Sequence, residues 1–111
     1  LKTVGLADLL AEALVDEGIR CALVFGSVAT GSAGAESDVD LLVVGDIGLR
    51  KLSELLAGVG DRLGREINPH VLTPAEFAKR VQAKEHFVSS VMRSKKIFVK
   101  GSEHELSAMA E

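Results

Sequence analysis

Residues 20–45 read RCALVFGSVATGSAGAESDVDLLVVG and contain two apolar runs joined by a loop of small residues. The first run ends at Gly26 and Ser27, and ten residues separate Ser27 from Asp38. Asp38 and Asp40 then open the second run. Short apolar runs that do not alternate with polar residues are typical of strands buried on both faces. The stretch therefore predicts two core strands, with a pair of carboxylates at the start of the second.

The two aspartates have a spacing that suits a metal site. In a strand, residues two apart point to the same face, so Asp38 and Asp40 are expected to lie a few ångströms apart. Two carboxylates so placed repel each other unless a cation lies between them. Mg²⁺ prefers oxygen ligands and keeps positions open for water and phosphate, so we expect Mg²⁺, or Mn²⁺ in its place.

The end of the first run has features of a phosphate site. A strand that ends in Gly26 and Ser27 and enters a helical turn exposes backbone N–H groups, which attract phosphate. Gly26 would allow close approach to the backbone, and the Ser27 hydroxyl would donate one further bond. Gly26 and Gly31 also match the glycines of a P-loop, but Ser32 stands where that motif requires lysine, so the P-loop interpretation fails.

The composition limits the protein to a few classes. At 111 residues and 47% hydrophobic, residues 1–111 are expected to form a single domain. The net charge of −3 argues against a general nucleic-acid binder. The apolar runs are too short to span a bilayer, so no membrane partner is expected. The only cysteine, Cys21, lies in an apolar run and is expected to be a buried thiol, which fits a cytoplasmic location.

The basic residues are concentrated towards the end of the chain. Residues 74–100 contain seven of the 13 Lys and Arg residues, with two acidic residues among them. This segment would face phosphates or a polyanionic partner, or would simply form the solvated faces of helices.

Apolar spacing and turn residues predict the remaining elements. Pro69 lies within the third predicted strand and cannot donate to a neighbour, so this strand is expected at an edge or at a bulge. Thr73, Pro74 and Glu76 together predict a capped helix start. The predicted elements are helix 5–17, strand 20–25, a helical turn at 27–30, strand 39–45, helix 49–63, strand 66–73, helices from 73 and over 85–93, strand 97–99 and a helical tail from 103. This order predicts the α/β (α+β) class, with a small mixed β-sheet and flanking helices.

Residues 24–44 (VFGSVATGSAGAESDVDLLVV) resemble the nucleotidyltransferase signature of the DNA polymerase β superfamily, and are most similar to its minimal bacterial and archaeal members. The resemblance implies the nucleotidyltransferase fold and an enzyme. It implies that Gly26 and Ser27 hold a nucleoside triphosphate and that Asp38 and Asp40 are the catalytic, Mg²⁺-binding residues. An acceptor hydroxyl would then attack the α-phosphorus in line and release pyrophosphate.

The chain departs from the family pattern at the third carboxylate. The resemblance places that position on Asn68, and an amide can coordinate weakly or donate a bond but cannot take a proton at neutral pH. Glu66 and His70 lie two residues to either side and are the alternatives for this third position.

Three hypotheses follow from these residues. The first is a Mg²⁺-dependent transferase whose acceptor is a protein, an RNA end or a small molecule such as an aminoglycoside. The second is a catalytically weak or inactive nucleotide-binding module that regulates a partner, as in toxin–antitoxin pairs or in fusions to a DNA-binding domain, which would lie upstream of residue 1. The third is a purely structural role for the loop and the basic segment.

Overall fold

The computed structural model describes residues 3–31 and 38–111, apart from the side chains of residues 3, 4, 27 and 30. In these ranges, helices pack on both faces of one four-stranded sheet, which confirms the predicted class. The elements in chain order are α1 (Thr3–Ala13), β1 (Ile19–Phe25), α2 (Ser27–Thr30), β2 (Val39–Gly45), α3 (Leu49–Leu55), α4 (Val59–Leu63), β3 (Ile67–Leu72), α5 (Pro74–Gln82), α6 (His86–Arg93), β4 (Ile97–Lys100) and α7 (Glu103–Met109).

The sheet is mixed, as predicted, with the strand order β3-β2-β1-β4. β1 runs antiparallel to both β2 and β4, whereas β2 and β3 are parallel. A parallel pair needs a crossover connection, and α3 and α4 supply it. β3 is an edge strand that contains Pro69, which confirms the position expected for a residue without an N–H donor.

The two central strands bury both of their faces. Alternate residues of β1 and β2 pack towards α1, α3 and α4, and the residues between them pack towards α5, α6 and α7. Cys21 lies on the second of these faces and is fully buried, as expected. Its burial, with the nearby charges of Glu105 and Glu103, raises the pKa of the thiol to about 11.

The first helix is shorter than predicted. α1 ends at Ala13 instead of continuing to residue 17. The Gly18 amide donates to the Asp16 carboxylate at 2.8 Å, and the Ile19 amide donates to the Asp16 carbonyl at 3.1 Å. A side-chain bond of this kind offers the backbone an alternative to the helix, which explains the early end.

The helix predicted over residues 49–63 is two helices, and that prediction was wrong. α3 ends at Leu55, and α4 begins at Val59 after a turn. Gly58 in this turn has φ 84°, a left-handed conformation that interrupts a right-handed helix and that glycine adopts without strain. The apolar period continues through the break, so periodicity alone did not reveal it.

The start of α5 is as predicted. The Thr73 hydroxyl accepts a bond from the Glu76 amide at 3.0 Å, and the Glu76 carboxylate accepts one from the Thr73 amide at 2.9 Å. The latter bond lowers the pKa of the Glu76 carboxyl. This reciprocal cap, with Pro74 at the first helical position, fixes the direction in which the chain leaves β3.

Candidate nucleotide and metal site

The ends of three strands meet at one end of the sheet. The start of β2 and the start of β3 lie side by side because these strands are parallel, and the end of β1 joins them because it is antiparallel. The register places Asn68, Asp40 and Phe25 in one row across the three strands. Phe25 and Asp40 oppose each other in an antiparallel pair, in which Cβ atoms lie about 4.5–5.5 Å apart, and Asn68 is the partner of Asp40 in the parallel pair.

Asp40 packs against the backbone of Gly26. Gly26 has φ 79°, and a Cβ atom added there would lie 2.6 Å from Oδ2 of Asp40. The carboxylate of Asp40 therefore occupies the space that any other residue at position 26 would fill. α2 begins at the next residue, so the strand-to-helix transition expected for a phosphate site is present. The side chain of Ser27 lies outside the described part of the chain. The whole of Ser37, the residue before Asp38, also lies outside it.

Asp38 is exposed and is linked to the third strand. Nδ2 of Asn68 donates to Oδ2 of Asp38 at 3.1 Å. The structure thus brings Asn68, the residue expected at the third position, to the first of the two aspartates. Asp40 is half-buried and Asp38 is exposed, so the two carboxylates differ in their access to solvent.

The other two candidates for the third position have different surroundings. Glu66 is exposed and precedes β3, and its backbone carbonyl accepts a bond from the Val39 amide at 2.8 Å. His70 pairs with Leu42, one step further along the face than Asn68, and its ring packs against phenylalanine rings. Of the three candidates, Asn68 is therefore the one whose side chain the structure joins to an aspartate of the pair.

The donor set suits a magnesium ion that shares its coordination with a substrate. Within residues 3–31 and 38–111, His, Cys, Asp and Glu do not form a group of three or more that could hold a metal. Asp38 and Asp40 supply carboxylate oxygens, the ligand type that Mg²⁺ and Mn²⁺ prefer. Mg²⁺ usually takes one or two carboxylates together with substrate phosphates, so this pair fits the ion, with the nucleotide completing the site.

A cleft of about 840 Å³ borders the site at Asp38. It lies between α3, α4 and the start of β3. Among the described residues that line it, the carboxylates of Asp38, Asp61 and Glu66 outnumber the guanidinium of Arg65. The other lining residues are Ser53, Leu56, Gly60, Gly64, Ile67 and Pro69. The sequence did not indicate this cleft. Its walls come from α3, α4 and the start of β3, and the break between the two helices was not predicted.

Three rings form a cluster that begins at Phe25, the partner of Asp40 on β1. The ring centroids of Phe25 and His70 are 5.8 Å apart, those of Phe25 and Phe87 are 5.6 Å apart, and those of His70 and Phe87 are 5.2 Å apart. We call these three residues the aromatic wall. Sequence reasoning missed it, because the register between β1 and β2 that sets Phe25 opposite Asp40 is known only from the structure.

Part of the basic segment serves the fold. Lys96 donates to the carbonyls of Met92 at 3.0 Å and Ser94 at 2.8 Å, which satisfies the end of α6. Lys100 donates to the carbonyl of Asp16 at 3.2 Å, and other members include Arg80, which pairs with Glu85 at 3.1 Å. Lys79, Lys84, Arg93 and Lys95 are exposed. For these exposed cations the choice between phosphate, partner and solvated surface stays open.

Comparison with known proteins assigns the chain to a family of group-transfer domains. The family model of the nucleotidyltransferase domain matches residues 8–102. The chain therefore belongs to the nucleotidyltransferase domain family, which confirms the resemblance inferred from residues 24–44 and makes the protein a nucleotidyltransferase by family. Comparison with curated proteins gave no significant match.

Several solved structures of toxin–antitoxin complexes share the fold. A chain of a toxin–antitoxin crystal structure with AMP-PNP aligns with a TM-score of 0.61 at 15% identity, over 99% of this chain and 82% of that one. A chain of the tri-AMPylated Shewanella oneidensis HEPN toxin in complex with MNT antitoxin gives 0.55 at 13%, over 99% and 81%. A chain of the MntA–HepT toxin–antitoxin complex gives 0.52 at 12%, over 96% and 76%. At these identities the likeness establishes the fold.

No helix in the described ranges combines the length and apolar character needed to cross a membrane.

Proposed function

We propose that this chain transfers a nucleoside monophosphate from a nucleoside triphosphate to an acceptor hydroxyl, with Mg²⁺ as the metal. The observation that supports this most strongly is the packing of Asp40 against the Gly26 backbone, with Asp38 next to them at the start of β2. A carboxylate pair beside a glycine at the start of a helix brings a metal and a phosphate chain to one place.

The residues have separate roles in this proposal. Gly26 and Ser27 hold the triphosphate through the backbone N–H groups at the start of α2, and the absence of a side chain at Gly26 leaves room for the Asp40 carboxylate beside them. Asp38 and Asp40 hold Mg²⁺. When bound, the ion supplies charge neutralisation on the phosphates and acidifies the acceptor hydroxyl. The protein groups mainly fix the α-phosphorus and the acceptor in line, because phosphoryl transfer depends on positioning more than on covalent help.

The transfer requires a group on this chain that accepts the proton of the acceptor hydroxyl. Asn68 cannot take it, since an amide has no basic site at neutral pH. Asp38 is the more exposed of the two carboxylates, and it borders the cleft. We assign Asp38 the second role of accepting this proton, and Asn68 the role of orienting its carboxylate through the 3.1 Å bond.

The cleft at Asp38 is where we propose that the acceptor enters. Its wall presents three carboxylates and one guanidinium, which disfavours a polyanion such as RNA and favours a neutral or cationic acceptor. One structure of the same fold contains an AMPylated HEPN toxin in complex with its antitoxin. We therefore propose adenylyl transfer from ATP to a hydroxyl side chain of a partner toxin, in the cytoplasm.

Asn68 supports a second candidate function. Without a carboxylate at the third position, the chain would bind ATP and Mg²⁺ and control a partner protein with little or no turnover. This module would belong to the same kind of toxin–antitoxin pair, with the exposed bases of residues 74–100 available for a partner or for a fused DNA-binding domain.

The experiment that separates these functions combines label transfer with calorimetry. The protein is incubated with ATP labelled at the α-phosphate, Mg²⁺ and, in turn, a HEPN toxin, a short RNA and an aminoglycoside. Transfer to the toxin that is lost in Asp38→Ala/Asp40→Ala, but kept in the surface control Asp46→Ala, supports the enzyme. Equal transfer in the double variant would show that the assignment of the aspartates is wrong.

Calorimetric titration of the same proteins with ATP and Mg²⁺ covers the remaining outcomes. Binding without transfer to any acceptor favours the regulatory module. If neither Mg²⁺ nor ATP binds, both functions are wrong, and the loop has a structural role.

A further inference from the structure

The aromatic wall adjoins the proposed phosphate and metal site directly. Phe25 lies opposite Asp40 in the antiparallel register, and it is the residue before Gly26. His70 lies two residues after Asn68 on the same face of β3. Phe87 reaches this face from α6 and closes the triangle, with its ring centroid 5.2 Å from that of His70.

The wall marks the border between the core and the open site. Behind it, Leu23, Leu42 and Val88 are fully buried. Phe25 and Phe87 are half-buried, whereas His70 is exposed. A ring that only completes the core would be covered. Here, two phenylalanines hold an imidazole ring in place while it remains accessible beside the carboxylates.

We propose that the aromatic wall stacks against the base of the bound nucleotide, with His70 as the contact residue and Phe25 and Phe87 as its support. This inference rests on the proposed function, because it takes the phosphates to lie at Gly26 and Asp40. Every nucleobase has a π-face, and aromatic side chains are the usual platforms for it. A ring held by its neighbours loses little conformational freedom when the base binds. Ordering this side chain therefore subtracts little from the binding free energy.

Binding measurements with two probes test the proposal without relying on catalysis. ATP and inorganic tripolyphosphate are titrated, each with Mg²⁺, into wild type, His70→Ala, His70→Phe and the control His104→Ala. His104 is an exposed histidine on α7. We expect His70→Ala to weaken ATP binding by roughly 5- to 150-fold, the range of one stacked base, and to leave tripolyphosphate binding unchanged. His70→Phe should stay within about 3-fold of wild type, because it keeps a ring at this position.

The outcomes distinguish this inference from the function beneath it. If His70→Ala weakens neither probe, or weakens both equally, the wall does not bind the base, although the site still binds phosphates. If wild type binds tripolyphosphate as tightly as ATP, the base does not contribute to binding and the inference is wrong. If wild type binds neither probe, the proposed nucleotide site is itself wrong.

Discussion

The side-chain amide of Asn68 donates to Oδ2 of Asp38 at 3.1 Å, and this bond joins the first aspartate of the pair to the neighbouring strand. A third carboxylate at the same place would repel Asp38 until a cation bound. The amide instead holds the Asp38 carboxylate by a hydrogen bond, but it is a weaker metal ligand than a carboxylate and cannot accept a proton. In the function that we propose, Asn68 therefore favours a site that keeps its shape between binding events over one that needs a metal to hold its carboxylates together.

Substitution of Asn68 by aspartate should make the protein depend on a divalent cation for full stability. Without Mg²⁺, the lost hydrogen bond and the new repulsion should lower the free energy of unfolding by about 1 kcal/mol. With Mg²⁺, the third carboxylate should reverse this loss and raise the affinity for the ion above that of wild type. Thermal unfolding with EDTA and with Mg²⁺ measures both effects. Asn68→Ala is the control, since it loses the bond without adding charge; an equal response of the two variants to Mg²⁺ would contradict the prediction.

Substitution of Gly26 by alanine should abolish nucleotide binding out of proportion to its effect on stability. The added methyl would meet Oδ2 of Asp40 at 2.6 Å, and the flexible carboxylate would move away from its site. Gly31→Ala is a matched control, because Gly31 has φ 80° and, among the residues that the structure describes, no atom lies within 4 Å of where its Cβ would be. Both variants should lose about 1–2 kcal/mol from left-handed strain, as measured by urea unfolding. ATP titration should then show loss of binding in Gly26→Ala alone; similar binding in both would mean that Asp40 need not be where the structure places it.

Replacement of Lys96 by methionine should destabilise the fold, unlike the same change at Lys95. The Lys96 side chain is 6% exposed, bonds two carbonyls at the end of α6 and lies 3.4 Å from the Glu103 carboxylate. Its loss should leave these carbonyls unsatisfied and cost about 2 kcal/mol. Lys95 is exposed, and its replacement should change stability by less than about 0.5 kcal/mol. Chemical unfolding of the two variants is the measurement, and equal stabilities would remove the capping role from Lys96.

The buried thiol of Cys21 should make stability fall at high pH. In the folded protein its pKa is raised from 9.0 to about 11, so the unfolded chain loses this proton first as the pH rises. The contribution is fully present below pH 9.0 and is lost as the pH approaches 11, with a slope of at most about 1.4 kcal/mol per pH unit. Cys21→Ala should lack this component, so the difference between wild type and variant isolates it from the titration of lysines. A difference that stays constant across this window would show that the thiol titrates normally.

Several features of the site could be predicted from the sequence because they depend on neighbours along the chain. The aspartate pair follows from strand alternation, and the glycine before α2 follows from the need for a tight strand-to-helix transition. The cap at Thr73 is equally local. The break at Gly58 was not predicted, because the helical spacing of apolar residues continues across the turn and the same face stays buried on both sides of it.

The contacts that shape the site depend on how distant strands are aligned. Asn68 and Asp38 are 30 residues apart, and the parallel register of β2 and β3 brings them together. From the sequence, the family resemblance placed the third position on Asn68, with Glu66 and His70 as alternatives on the same strand. In the structure they differ: Asn68 binds Asp38, His70 joins the aromatic wall, and Glu66 lines the cleft.

The sequence by itself determined the family, the buried strands and the position of the aspartate pair at the start of β2, because short-range spacing dictates strand alternation and the strand-to-helix turn. The tertiary structure decided which residues surround those groups. The aromatic wall unites β1, β3 and α6, and the acidic cleft unites α3, α4 and β3. Such sites arise only when the sheet is assembled, since side-chain packing and register fix which distant residues meet.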